Sequence, residues 1–160
     1  MMNNEFHTVR GYQLLEQNKV LLTSAMEDYL EMIYRNSLEE GYLRINRLAE
    51  LLNVRASSAT KMVQRLGELG LLNYKKYGIV MLSDIGQEIG GFLLERHRIT
   101  EGFLKLLGCE EDLLQQTELI EHSINARTVK KINVLNLFFK KHPDILERYL
   151  DFQKKVEESK

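Results

Sequence analysis

Met26, Tyr29, Leu30 and Ile33 are spaced i, i+3, i+4, i+7, so they line one side of an α-helix. Thr23 or Ser24 offers an N-cap, and the helix is expected to run to about Ser37 and stop before Gly41. Asp28 and Glu31, three positions apart, are expected on the opposite side, away from the core their helix builds. The stripe returns at Ile45, Leu48, Ala49 and Leu52, after a short stretch, Tyr42 to Ile45, with the character of a brief strand. Asn53-Val54-Arg55 breaks this second helix, and a third follows with Ala59, Met62, Val63 and Leu66 inward.

The period then changes. LLNYKKYGIVML holds two runs rich in Leu, Tyr, Ile and Val around Lys75-Lys76-Tyr77-Gly78, which predicts a β-hairpin with a basic tip. Ser83 caps a long helix to about Leu107, with Ile85, Ile89, Phe92, Ile99, Phe103 and Leu107 as its main stripe and His97 near the edge. Gly86, Gly90 and Gly91 weaken it as a helix but allow another backbone to approach. Further helices are expected at Glu110 to Ile124, Asn125 to about Lys141, and Pro143 to about Glu157. Val129, Ile132, Leu135, Phe138 and Phe139 exceed what one short amphipathic face needs, and such a surplus suits a homodimer. Residues 1–23 carry the weakest pattern. Val9, Tyr12, Leu15 and Val20 to Leu22 suggest a helix that Gly11 interrupts, an extension without an evident role.

Two short helices joined by a tight turn, the second polar and basic on its outer side, predict a helix-turn-helix. Ser57, Thr60, Lys61, Gln64 and Arg65 face outward there, with Ser58 at the margin and Arg55 leading in, all types that hydrogen-bond base edges and phosphates. Lys75 and Lys76 on the following hairpin are placed to meet backbone phosphate, so the unit reads as a winged helix-turn-helix over residues 24–82. An all-helical domain over 83–160 follows, which makes the chain mainly α.

Charge supports this division. The chain as a whole carries −1. From Tyr42 to Met81, however, seven basic residues stand against Glu50 and Glu68, leaving +5 there and −6 elsewhere. One module is suited to phosphate and the other to something else. A single cysteine, Cys109, excludes an internal disulfide and a thiolate-cluster zinc site. No run approaches the roughly 20 apolar residues of a membrane span, and MMNNEFHTVR lacks the apolar core of a signal peptide. A cytoplasmic protein is therefore expected, with neither a membrane nor a small organic substrate as partner.

TELIEH places Glu118, Glu121 and His122 at i, i+3 and i+4, in one sector of their helix, while Thr117, Ile120 and Ile124 turn inward. With His97, Asp28 and Glu31 they make six candidate ligands on three helices, four carboxylates and two imidazoles. Helical carboxylates and histidines also build di-metal enzymes, but those use paired Glu-x-x-His motifs, which are absent here.

SAMEDYLEMIY, RASSATKMVQRL, ERH around His97, and ELIEH together resemble the diphtheria toxin repressor family of metal-dependent regulators, in its manganese transport regulator branch. The resemblance covers about residues 24–145. It implies that Asp28, Glu31, His97, Glu118, Glu121 and His122 are metal ligands, since each matches a ligand position of that branch. It also implies a Mn²⁺-responsive repressor, with up to two ions per subunit, acting as a homodimer on a palindromic duplex near metal-uptake genes. In the iron-responsive branch a methionine stands at the position of Asp28 and a cysteine at that of Glu118, and Fe²⁺ is the alternative metal. The donor set agrees with this, because hard oxygens and imidazole suit Mn²⁺ while thioether and thiolate favour softer ions.

Overall fold

The computed structural model describes residues 11, 13, 14, 16, 17 and 22–159. In chain order come helix α1 (Ser24–Ser37), strand β1 (Leu43–Arg44), helices α2 (Ile45–Leu51) and α3 (Ala56–Glu68), and strands β2 (Leu72–Lys75) and β3 (Ile79–Leu82). Four more helices follow: α4 (Asp84–Leu106), α5 (Leu113–Glu121), α6 (Ala126–Lys141) and α7 (Pro143–Glu158). The chain divides into two compact units between Glu95 and Arg96, within α4.

In the first unit, Thr23 rather than Ser24 caps α1: its hydroxyl accepts a hydrogen bond from the Met26 amide at 3.3 Å. Met26, Tyr29, Leu30 and Ile33 are buried, as their spacing predicts, and meet a core that includes Leu48, Ala59, Val63, Leu66 and Val80. Each such side chain removed from water contributes roughly 1.5–3 kcal/mol. The helix-turn-helix consists of α2, a turn in which Asn53 takes a left-handed φ of 51°, and α3. Asparagine tolerates that conformation better than most residues.

The hairpin is the larger part of a three-stranded antiparallel sheet of order β1-β3-β2. Leu43 pairs with Val80 on one side of β3 and Tyr74 pairs with Val80 on the other, so the central strand is bonded on both edges. Lys76 to Gly78 form the tip, a tight turn in which Tyr77 and Gly78 both take positive φ. Ser83 ties the hairpin to α4, donating to the Gly70 carbonyl at 2.7 Å and accepting from the Gly86 amide at 3.1 Å.

The glycines of α4 act as close-approach points. A Cβ on Gly86 would lie 2.0 Å from the Leu71 carbonyl oxygen, and one on Gly90 would lie 2.8 Å from Cβ of Tyr34. Gly11 belongs to the same group. The sequence reading has it interrupting a helix, but it is itself helical and buried, and a Cβ there would lie 2.4 Å from the Glu88 carbonyl oxygen. The other residues expected to build that N-terminal helix, Val9, Tyr12, Leu15, Val20 and Leu21, lie outside the described residues.

The second unit is helical throughout. Asn136 donates to the Ile99 carbonyl at 2.9 Å, and Gln153 donates to that of Leu107 at 2.9 Å, fastening α6 and α7 to the end of α4. α5 is shorter than the expected Glu110 to Ile124. Asp112, at φ 53°, breaks the helical path before it, and Asn125 beyond it is already extended to cap α6. Val129 is buried and Ile132 and Phe139 are half-buried, but Leu135 and Phe138 are exposed, as are Val134 and Leu137. Leu150, Phe152 and Val156 of α7 are exposed as well. Among the described residues, no helix is long and apolar enough to cross a membrane.

Candidate metal centre and nucleic-acid interface

Each unit carries its own set of candidate residues. In the second unit, α4 and α5 bring His97 and Glu121 together, with Nδ1 of the imidazole 3.0 Å from Oε2 of the carboxylate. Both are buried, His97 at 8% exposure and Glu121 at 1%. The expectation that His97 lies near the edge of the apolar stripe understates its burial. Burying a carboxylate this deeply is expensive unless positive charge or strong donors compensate it. A hydrogen bond from imidazole is one compensation, and a cation is another.

His122 caps the C-terminus of α5, half-buried, with its Nδ1 3.3 Å from Nη2 of Arg96. A guanidinium can only donate, so the ring accepts at Nδ1. Glu118 is exposed, although the spacing places it in one sector with Glu121 and His122. Thr117 is fully buried, returning its hydroxyl to the Leu113 carbonyl at 2.7 Å, and Ile120 and Ile124 are half-buried.

In the first unit, Asp28 and Glu31 lie on α1. Asp28 is half-buried. Glu31 departs from expectation: helical spacing leaves it on the outer side, yet it is buried at 8% exposure, and the Arg35 guanidinium donates to its Oε1. Periodicity reports the face a helix turns to its own core, and other packing can cover a second face. Burial also raises the pKa of the neighbouring Tyr29 phenol above its ordinary value.

The outer side of α3 agrees closely with the sequence reading. Arg55, Ser57, Ser58, Lys61, Gln64 and Arg65 are all exposed. Thr60 is half-buried and gives its hydroxyl to the Ala56 carbonyl at 2.8 Å, which leaves it less to offer a base edge. Lys75 and Lys76 are exposed, Lys75 at the end of β2 and Lys76 in the turn. Sequence reasoning passed over Tyr77 between them and Gly78. It is 90% exposed, a feature no periodicity signals.

Comparison with known proteins places this geometry in a family. The family model described as "Iron dependent repressor, N-terminal DNA binding domain" matches residues 21–80. Its partner, "Iron dependent repressor, metal binding and dimerisation domain", matches residues 83–150. The HTH-type transcriptional regulator MntR of Geobacillus kaustophilus is 40% identical over 137 residues, covering 85% of this chain and 97% of that protein. MntR of Listeria welshimeri is 40% identical over 126 residues, covering 78% of this chain and 89% of the relative. Among solved structures, a manganese-dependent transcriptional repressor in complex with manganese aligns with a TM-score of 0.62 at 28% identity, over 71% of this chain and 53% of that one. The manganese regulator SloR aligns at 0.61 and 26% identity, over 69% of this chain and 52% of its own. The chain thus spans about half the length of those two structures. With both family models matched in order and relatives at 40% identity along nearly their whole length, the chain belongs to the iron-dependent repressor family, the diphtheria toxin repressor family of the sequence resemblance, and within it to the regulators named MntR.

Proposed function

We propose that this chain is a manganese-responsive, DNA-binding transcriptional repressor in which metal binding promotes operator binding. It is a regulator and not an enzyme, as its family and its MntR relatives are. The observation that carries the metal part is the buried His97–Glu121 pair, an imidazole and a carboxylate 3.0 Å apart in the unit that matches the metal-binding model.

Asp28, Glu31, His97, Glu118, Glu121 and His122 are the proposed ligands. Their chemistry fits a hard or borderline divalent ion. Two M²⁺ ions per subunit would balance the four carboxylates, with Mn²⁺ the expected metal and Fe²⁺ the alternative. Bound metal would supply fixed positive charge where acidic side chains otherwise repel one another. Residues 83–160 would then be the metal-binding and dimerisation domain, residues 24–82 the winged helix-turn-helix, and residues 1–23 an extension.

Arg55, Ser57, Ser58, Thr60, Lys61, Gln64 and Arg65 are the proposed reading set, and Lys75 and Lys76 the phosphate contacts of the wing. The exposed apolar side chains of α6 and α7 support a homodimer, which presents two reading heads to a palindromic duplex. Metal that favours one arrangement of these heads lowers the cost of binding both half-sites. Control of metal-uptake genes in the cytoplasm follows as the expected setting.

The test is operator binding measured with Mn²⁺, with Fe²⁺ under anaerobic conditions, and with a chelator. Tight binding only with metal, lost in the His97→Ala protein, is expected. Equal binding in chelator would remove the metal-responsive reading.

A further inference from the structure

Tyr77 is the most exposed of the large apolar side chains among the described residues, at 90%. Its backbone sits at φ 66°, ψ 24°, a left-handed conformation costly to an aromatic residue and cheap for glycine or asparagine. A ring held in solvent on a strained backbone gives the folded chain nothing that the turn itself requires. Departures of this kind from local preference collect at functional positions.

The surroundings indicate what the ring meets. Lys75 and Lys76 precede it, both exposed, and no acidic residue occurs between Glu68 and Asp84. The tip is also held in place. A Cβ on Gly78 would lie 2.9 Å from Cγ2 of Ile45, so the turn is seated against the first residue of α2. β3, which leads away from it, is bonded on both sides. The ring therefore projects from a supported, basic tip belonging to the same unit as α3.

We infer that Tyr77 is a DNA-contacting residue whose ring packs on the apolar face of the deoxyribose backbone beside the site read by α3, while the two lysines hold the phosphates. The inference rests on the reading that this unit binds duplex DNA. It assigns to the wing an apolar contact that counterion release does not describe.

The chain contains no tryptophan, so Tyr77→Trp installs a single reporter at the tip. With a duplex enriched by the parent protein from a random pool, added in the presence of Mn²⁺, the emission of the Tyr77→Trp protein should shift and quench. Tyr77→Ala should weaken binding roughly five- to ten-fold, at the low end for aromatic contacts with nucleic acid, and leave the salt dependence unchanged. Lys76→Ala should weaken binding and flatten that dependence. Tyr77→Phe should bind as the parent does. Tyr77→Gly should raise the melting temperature by relaxing the turn, yet bind as weakly as Tyr77→Ala.

If the parent and Lys76→Ala behave as stated but Tyr77→Ala binds like the parent, or the Tyr77→Trp emission ignores the duplex, the inference is overturned and the DNA-binding reading stands. If the parent binds no duplex with Mn²⁺, that reading falls and takes the inference with it.

Discussion

Nδ1 of His97 stands 3.0 Å from Oε2 of Glu121, joining two helices whose residues are 24 positions apart in sequence. At 1% exposure, Glu121 has almost no solvent to stabilise its charge. The hydrogen bond to the imidazole is one way to meet that need, and a metal ion held by both groups would be another.

Glu121→Gln keeps the shape and a hydrogen-bond acceptor but removes the charge. We expect the Mn²⁺ concentration needed for operator binding to rise by about 100-fold or more, at or beyond the losses seen when groups supporting a metal ligand are removed. Sedimentation should still show a dimer. A Mn²⁺ titration followed by DNA anisotropy checks it, and a parent-like midpoint would take Glu121 out of the site.

Asp28 is the residue to test for metal choice. Asp28→Met replaces a hard anionic oxygen with a soft neutral sulfur. Mn²⁺ is the weakest binder among the first-row divalent ions and depends most on matched charge and geometry. The Mn²⁺ response should fall further than the Fe²⁺ or Co²⁺ response, and Glu118→Cys should act in the same direction. Anaerobic titrations with the three metals decide this, and an unchanged ranking would deny Asp28 a part in selectivity.

The two sets proposed to contact DNA should separate by salt and by sequence. Lys61→Ala or Gln64→Ala should cost ~1–3 kcal/mol on the operator and relax base preference. Lys75→Ala and Lys76→Ala should weaken binding to any duplex and reduce the slope of affinity against salt by about one each. Thr60→Ala, whose hydroxyl is already given to the Ala56 carbonyl, should cost less than either reading-helix change.

Gly90→Ala sets two effects of opposite sign against each other. Alanine gains about 1 kcal/mol of helix propensity over glycine. The added Cβ, however, would lie 2.8 Å from Cβ of Tyr34, and overpacking of this kind costs about 1–3 kcal/mol. We expect the clash to outweigh the propensity, giving net destabilisation in urea unfolding. A stabilised single variant would show that the two helices can move apart freely.

These residues also mark how far the sequence could be read. Spacing alone located α1, the reading helix and the exposed basic side chains on it, because periodicity and exposure follow the same geometry. It misjudged Glu31 and Ile85. Ile85 holds a stripe position but is 46% exposed, since the stripe's first turn lies at the start of α4. Glu31 lies off the stripe and is buried. Both depend on what packs against a helix, and a single helix's pattern does not record that. The late start of α5 depends on the left-handed backbone at Asp112, a choice few residue types announce. The proposed ligand set came only through resemblance to a family, because spacing along each of three helices does not relate one helix to another.

The thin interior of the second unit bears on how the protein behaves at low copy number. Its buried apolar side chains are Ile99, Leu104, Ala126 and Val129, and no residue of α7 is buried. In such a unit, assembly and folding share one equilibrium, and mass action makes its melting temperature rise with protein concentration. Dilution would then loosen the helices that carry His97 and Glu121 as well as the pairing of reading heads. Synthesis of the regulator itself would set how much metal is needed to silence a gene.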